Sequence, residues 1–78
     1  MTTQAINIYI HPVGILRKFA EYQEMELVKG ATPDTAIKRL QLPDKLKIIA
    51  FINGEKAGLS TELHNGDELK LVTLVTGG

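Results

Sequence analysis

Apolar and polar positions alternate at both ends of the chain and change period in between. Ile6, Ile8 and Ile10 alternate with Asn7, Tyr9 and His11. Period two with β-branched residues predicts a half-buried strand. The run His11-Pro12-Val13-Gly14 is expected to end it, because proline lacks a ladder donor and glycine permits a turn. Residues 15–22 carry Leu16, Phe19 and Ala20 at i, i+3, i+4 spacing, which predicts a short helical turn facing inward. Residues 24–29 alternate again, with Met25 and Leu27 on one face.

Gly30 marks the next turn, and Thr32-Pro33 starts a helix. Threonine caps the free N–H groups, and proline fits the first helical position. Asp34 adds a favourable charge near the positive end. Ala36, Ile37 and Leu40 form the inward face, and Lys38 and Arg39 point to water. The helix is short, because Pro43 disfavours helical geometry at Leu42.

Residues 47–53 are apolar almost throughout, as suits a strand contacted on both faces. Asn53-Gly54 is a strong hairpin signal, with residues 55–57 as the return strand. Residues 60–63 read as a single turn, and 64–67 as another. Residues 68–75 form the last strand, with Leu69 and Leu71 on one face and Lys70, Val72 and Leu74 on the other. Residues 76–78 form a flexible tail, so the expected organisation is one domain, 1–75, followed by the diglycine end. One helix cannot cover both faces of a sheet, so the economical fold is α+β: a mixed sheet of four to five strands packed on one helix.

Composition removes several functions. Seventy-eight residues hold one domain. Cysteine is absent, which excludes a disulfide framework, a thiolate metal site and a cysteine nucleophile. Nine basic residues balance nine acidic ones, so no basic stripe argues for nucleic acid. No apolar run is long enough for a membrane span, and the N-terminus does not read as a signal peptide. A cytoplasmic protein is the expectation. His11 and His64 are distant in sequence and sit in turn contexts without metal-ligand spacing, so no metal site is expected. An enzyme with its own active site is disfavoured, because no acid, base and nucleophile converge.

Three segments carry a family resemblance. Leu16-Arg17-Lys18-Phe19-Ala20 is similar to the stretch after the first strand in molybdopterin synthase small subunits. Residues 26–33, ELVKGATP, resemble that family's lead into its helix. Ala50-Phe51-Ile52-Asn53-Gly54-Glu55, with residues 63–68 and 71–78, resembles the family's ending. The whole resembles the ubiquitin-like β-grasp fold of the MoaD/ThiS sulfur carriers. It departs at Thr73-Leu74, where the family usually has a proline pair, and in a short link from helix to third strand.

The resemblance implies a chemistry for the diglycine. Taken alone, Gly77-Gly78 is an ordinary chain end. In the family, a partner enzyme uses ATP to adenylate the terminal carboxylate, here that of Gly78. A persulfide sulfur then replaces AMP, leaving a thiocarboxylate that donates sulfur. Thr76 and Gly77 would thread a narrow channel, where glycine lets the backbone approach closely. No cofactor is bound by the carrier itself. The implied partners are a ubiquitin-activating-like adenylyltransferase and a sulfur-acceptor synthase, either the molybdopterin synthase large subunit or thiazole synthase. The 16–20 segment favours molybdopterin. A thiazole (thiamine) carrier, a ubiquitin-like modifier conjugated through Gly78, and an interaction module with an inert tail are the alternatives. If Ile48, Ala50 and Ile52 face the helix, then Ile49, Phe51, Val72 and Leu74 share the outer side and form a partner-docking surface. Arg17 and Lys70 are candidates for its charged rim, and Lys56 is either a solvated hairpin residue or a contact to the acceptor.

Overall fold

The computed structural model describes residues 4–43 and 45–74. Five strands form one mixed sheet in the order β2-β1-β5-β3-β4, with one α-helix and one 3-10 turn. The strands are β1 (Ala5–Pro12), β2 (Gln23–Val28), β3 (Ile48–Ile52), β4 (Glu55–Ala57) and β5 (Glu68–Thr73). The helix α1 spans Pro33–Leu40. The expected α+β class and single helix are therefore present, with the sheet at five strands.

The first and last strands lie side by side and parallel in the middle of the sheet, with Tyr9 opposite Glu68 and His11 opposite Lys70. All other pairings are antiparallel. The core follows from the alternation. Ile6, Ile8 and Ile10 of β1, Met25 and Leu27 of β2, Ala50 of β3, and Leu69 and Leu71 of β5 are all buried on the helix side. Leu16, Leu42 and Leu63 close that core from the connections.

The helix begins where capping chemistry places it. Thr32 Oγ1 accepts from the Thr35 N–H (3.4 Å), and Thr35 Oγ1 accepts from the Thr32 N–H (3.2 Å), so the two cap reciprocally. Asp34 N donates to the Leu59 carbonyl, which ties the helix start to the loop before β5. Ala36 is fully buried against the sheet, with Ile37 and Leu40 partly buried beside it. The helix stops when Gln41 takes a left-handed conformation (φ 59°), and Leu42 then turns into the core.

Four expectations are corrected. β1 ends within the His11–Gly14 run, but Pro12 is its last residue and pairs with Leu71 rather than breaking the ladder. The odd-numbered N–H groups of β1 point to β5, as Tyr9 N to Asp67 O and Val13 N to Leu71 O show. Pro12 therefore lacks its donor on the β2 side, where the ladder has already ended at Ile10. The short helical turn expected over 15–22 is present as a 3-10 turn but spans only Gly14–Lys18. The turn ends at Lys18 with Phe19 as its C-cap, so the helical spacing does not carry on to Phe19, which is left 49% exposed, while Leu16 is buried and Ala20 packs partly against the core. The turn expected at 60–63 lies at 58–61 instead, closed by Thr61 N to Gly58 O. Leu63 lies outside that turn and is buried, its N–H bonded to Ala31 O at 2.8 Å. Finally, β3 is not covered on both faces. Ala50 is buried, while Ile49 and Phe51 are only half-buried. The expected end of β5 at Val75 lies outside the described residues.

Candidate functional site

The outer face of the sheet, opposite the helix, is built by the same alternation that builds the core. β3 and β5 pair with Ile49 opposite Val72, and Phe51 opposite Lys70. Since Ala50 and Leu71 are buried, these four side chains stand on the other face. Leu74 follows Val72 on that side and is 55% exposed. Leu74 N donates to Lys47 O at 3.2 Å, so the chain stays bonded to the start of β3 as far as residue 74. The docking candidates Ile49, Phe51, Val72 and Leu74 thus lie together where β5 ends.

One row of residues through this patch crosses four of the five strands. His11, Lys70, Phe51 and Lys56 are consecutive cross-strand neighbours on β1, β5, β3 and β4. Tyr22, just before β2, extends the row by stacking edge-on against His11, with ring centroids 4.5 Å apart. Lys70 Nζ sits 5.7 Å from the centre of the Phe51 ring, a cation–π distance. The apolar patch is therefore bordered by two ammonium groups. Glu24 and Glu26 of β2 are exposed at the opposite edge of the same face. Arg17 lies in a different cleft of about 500 Å³, with His11, Pro12, Ala20, Glu21 and Tyr22.

Sequence reasoning missed what surrounds His11. It is not a turn histidine but a strand residue, with Nε2 3.1 Å from Glu68 Oε1 on β5. The alternation running on through His11 was a signal for its face. The partner, 57 residues away, left none. His64 lies 3.9 Å from Asp67 in a tight turn. Among the described residues, no group of three His, Cys, Asp or Glu side chains has metal-binding geometry.

A second missed feature is the buried carboxylate of Asp67, which is 9% exposed. It accepts from Asn53 Nδ2 at 2.9 Å and from the His64 N–H at 2.8 Å. Asn53 in turn accepts from the Glu68 N–H at 2.9 Å and donates its own N–H to Glu68 O at 2.8 Å. The β3–β4 hairpin turn is thereby clamped to the start of β5. The residues that resembled a family ending are, in part, this clamp.

The proposed reactive residues Thr76, Gly77 and Gly78 lie outside the described residues. No helix among the described residues is long and apolar enough to cross a membrane.

A central parallel pair of first and last strands, one helix across one face and an apolar patch on the other together define a ubiquitin-like β-grasp domain. The chain belongs to the ThiS family, whose model matches residues 13–78. Solved structures agree on the fold. The Haloferax volcanii HVO 2177 protein superposes with a TM-score of 0.77 at 17% identity, covering 95% of this chain and 88% of that one. A putative molybdopterin converting factor, subunit 1, from Pyrococcus furiosus gives 0.73 at 17% identity, covering 90% and 99%. The Caldiarchaeum subterraneum ubiquitin gives 0.64 at 21% identity, covering 96% and 100%. No curated protein sequence matches the chain.

Proposed function

We propose that this chain is a sulfur carrier whose Gly78 carboxylate is charged by a partner enzyme. The observation that carries the reading is the family match itself, which runs to residue 78 and so takes in Gly77 and Gly78. Family and fold together support a sulfur carrier or a ubiquitin-like modifier, and both begin with the same step. A carboxylate oxygen attacks the α-phosphorus of ATP in the activating enzyme, expelling pyrophosphate and leaving an acyl adenylate. A persulfide sulfur then attacks the carbonyl carbon, and AMP departs. Cleavage of the resulting acyl disulfide by a second thiol leaves the thiocarboxylate. The carrier contributes the carboxylate and its presentation, while the activating enzyme binds the ATP.

The described structure supports the presentation. β5 is bonded to the sheet through Leu74, and four residues follow it in the sequence. Fully extended, four residues span about 13–14 Å. That length lets Thr76 and Gly77 occupy a channel in the partner while Ile49, Phe51, Val72 and Leu74 rest on its surface. An apolar patch at the root of the reactive segment suits such docking. The acceptor we favour is a molybdopterin synthase large subunit, in line with the 16–20 segment and with the Pyrococcus furiosus structural neighbour. Thiazole synthase, and conjugation to lysines through Gly78, are the competing destinations.

The test is mass spectrometry of the C-terminal peptide after incubation with the host's activating enzyme, ATP and a persulfide donor. The expected product carries the mass gain of exchanging one oxygen for sulfur. An activating enzyme that charges another carrier but leaves Gly78 unchanged would overturn the reading. Gly-Gly remnants on lysines of other host proteins would move the chain to the modifier class.

A further inference from the structure

The chain contains two Asn-Gly steps, Asn53-Gly54 and Asn65-Gly66. Such a step has its own chemistry. The glycine nitrogen, unhindered by a Cβ on its own residue, can attack the asparagine side-chain carbon. Both steps occupy turns that need positive φ at glycine, 88° in each case. Their hydrogen bonding differs in a way that decides which one reacts.

At Asn65-Gly66 the nucleophile is engaged. Gly66 N–H donates to the Asn7 carbonyl at 2.7 Å, and Asn65 Oδ1 accepts from the Asn7 N–H at 2.8 Å. Both bonds run to β1, in the interior of the sheet. The nitrogen cannot lose its proton or swing toward the side chain unless this turn opens from the strand. At Asn53-Gly54 the arrangement is reversed. The Gly54 N–H donates to no backbone acceptor among the described residues. Asn53 itself is held, by its side chain to Asp67 and the Glu68 N–H and by its own N–H to Glu68 O, while the attacking nitrogen is not. A side chain in an exposed hairpin turn escapes by rotating, whereas a backbone amide bonded to a central strand escapes only by local unfolding.

We infer that Asn53 is the site of spontaneous deamidation in the folded chain and that Asn65 is protected by its bonds to β1. In the reaction, a base removes the Gly54 amide proton and the nitrogen bonds to Asn53 Cγ. The Cγ–Nδ2 bond breaks, and ammonia leaves with a proton taken from solvent. Water then opens the succinimide ring at one carbonyl or the other, giving aspartate or isoaspartate. Both products lose the Asn53 Nδ2–H donor to Asp67: aspartate puts a carboxylate in its place, and isoaspartate reroutes the backbone through Cγ and frees the former backbone carbonyl as the carboxylate. The bond that clamps the hairpin to β5 is lost in either case, and in the aspartate product it becomes a like-charge contact. The modification therefore ages the domain at the end of the sheet remote from Leu74.

The full chain, held folded in mildly alkaline buffer, tests this by peptide mass spectrometry at both sites. Amide-to-acid conversion at Asn53 is expected to outpace that at Asn65 by about tenfold, the worth of one hydrogen bond on the nucleophile. In strong urea the two sites should convert at similar rates. Amide exchange gives a second readout, in which the Gly54 N–H exchanges well before that of Gly66. Equal or faster conversion at Asn65 in the folded chain would overturn the inference. So would a folded chain that converts at neither site over a period in which the unfolded chain converts at both.

Discussion

The two faces of the β3–β5 ladder use similar residues to different ends. On the helix side, Ala50, Leu69 and Leu71 are fully buried, with Ile48 and Ile52 partly buried against the core at the ends of β3. On the other side, Ile49, Phe51 and Val72 are just as apolar yet only half-covered, and Leu74 is more exposed still. A strand interior with apolar residues on both sides reads as doubly buried, but this domain has only one helix to provide cover. The hydrophobic effect rewards the inner face in the isolated domain. The outer face gains its full burial only when something else covers it. The two sides of this pleat thus differ in cover rather than in apolar character.

The largest expected effect comes from cutting the inner face. Leu71→Ala removes a fully buried side chain from β5, the central strand of the sheet. It should cost about 3 kcal/mol in urea unfolding. Val72→Ala, one residue along and on the other face, should cost no more than about 1 kcal/mol. Equal losses at the two positions would mean that the outer face is already packed.

The next effect probes how tightly the helix seals the inner face. Ala36 is 0% exposed where α1 meets the sheet. Ala36→Leu should overpack that contact and lower stability by about 2 kcal/mol, read from the same unfolding curves. Gained stability would indicate slack between helix and sheet.

How much of this was legible beforehand depends on whether the deciding interaction is local. Ile6, Ile8 and Ile10 announce their strand, because the period of two is in the sequence itself. Thr32-Pro33 and Asn53-Gly54 announce a cap and a turn through chemistry within a few residues. Phe19 misled because i, i+3, i+4 spacing assumes a helix that continues through it, and the five-residue 3-10 turn ends at Lys18, one residue short. Pro12 misled because whether a missing donor matters depends on which neighbouring strand has ended. The partners of His11 and Asn53 lie 57 and 14–15 residues away, so only the sheet order brings them together. For the candidate site, the outer-face residues followed from the alternation once Ala50 was assigned inward. The cation–π contact of Lys70 with Phe51, and the row it belongs to, required the register.

A smaller stability effect with a larger functional one is expected at Phe51. Phe51→Ser should cost about 1 kcal/mol of folding stability, because the ring is only half-buried and loses Lys70 as well. It should also weaken complex formation with the activating enzyme by at least about tenfold, as expected when an aromatic anchor is removed from an interface. Charging of Gly78 at saturating enzyme should then recover, since the carboxylate itself is untouched. Unchanged affinity would remove Phe51 from the docking surface and leave its half-exposure without a function.

The smallest stability effect is expected at Lys56, where the contrast between faces is purely electrostatic. Its side chain is exposed on β4, opposite Phe51, and the described structure gives it no ion pair. Lys56→Glu should leave folding within about 0.5 kcal/mol of the parent chain. If Lys56 and Lys70 border a patch that meets acidic groups on the partner, the reversal should slow association. The slowing should shrink as salt rises past a Debye length of about 8 Å. Stopped-flow association with the activating enzyme at low and high salt separates the two roles. A salt-independent loss would point to packing at the hairpin, and no loss would restrict the docking surface to the apolar residues between β3 and β5.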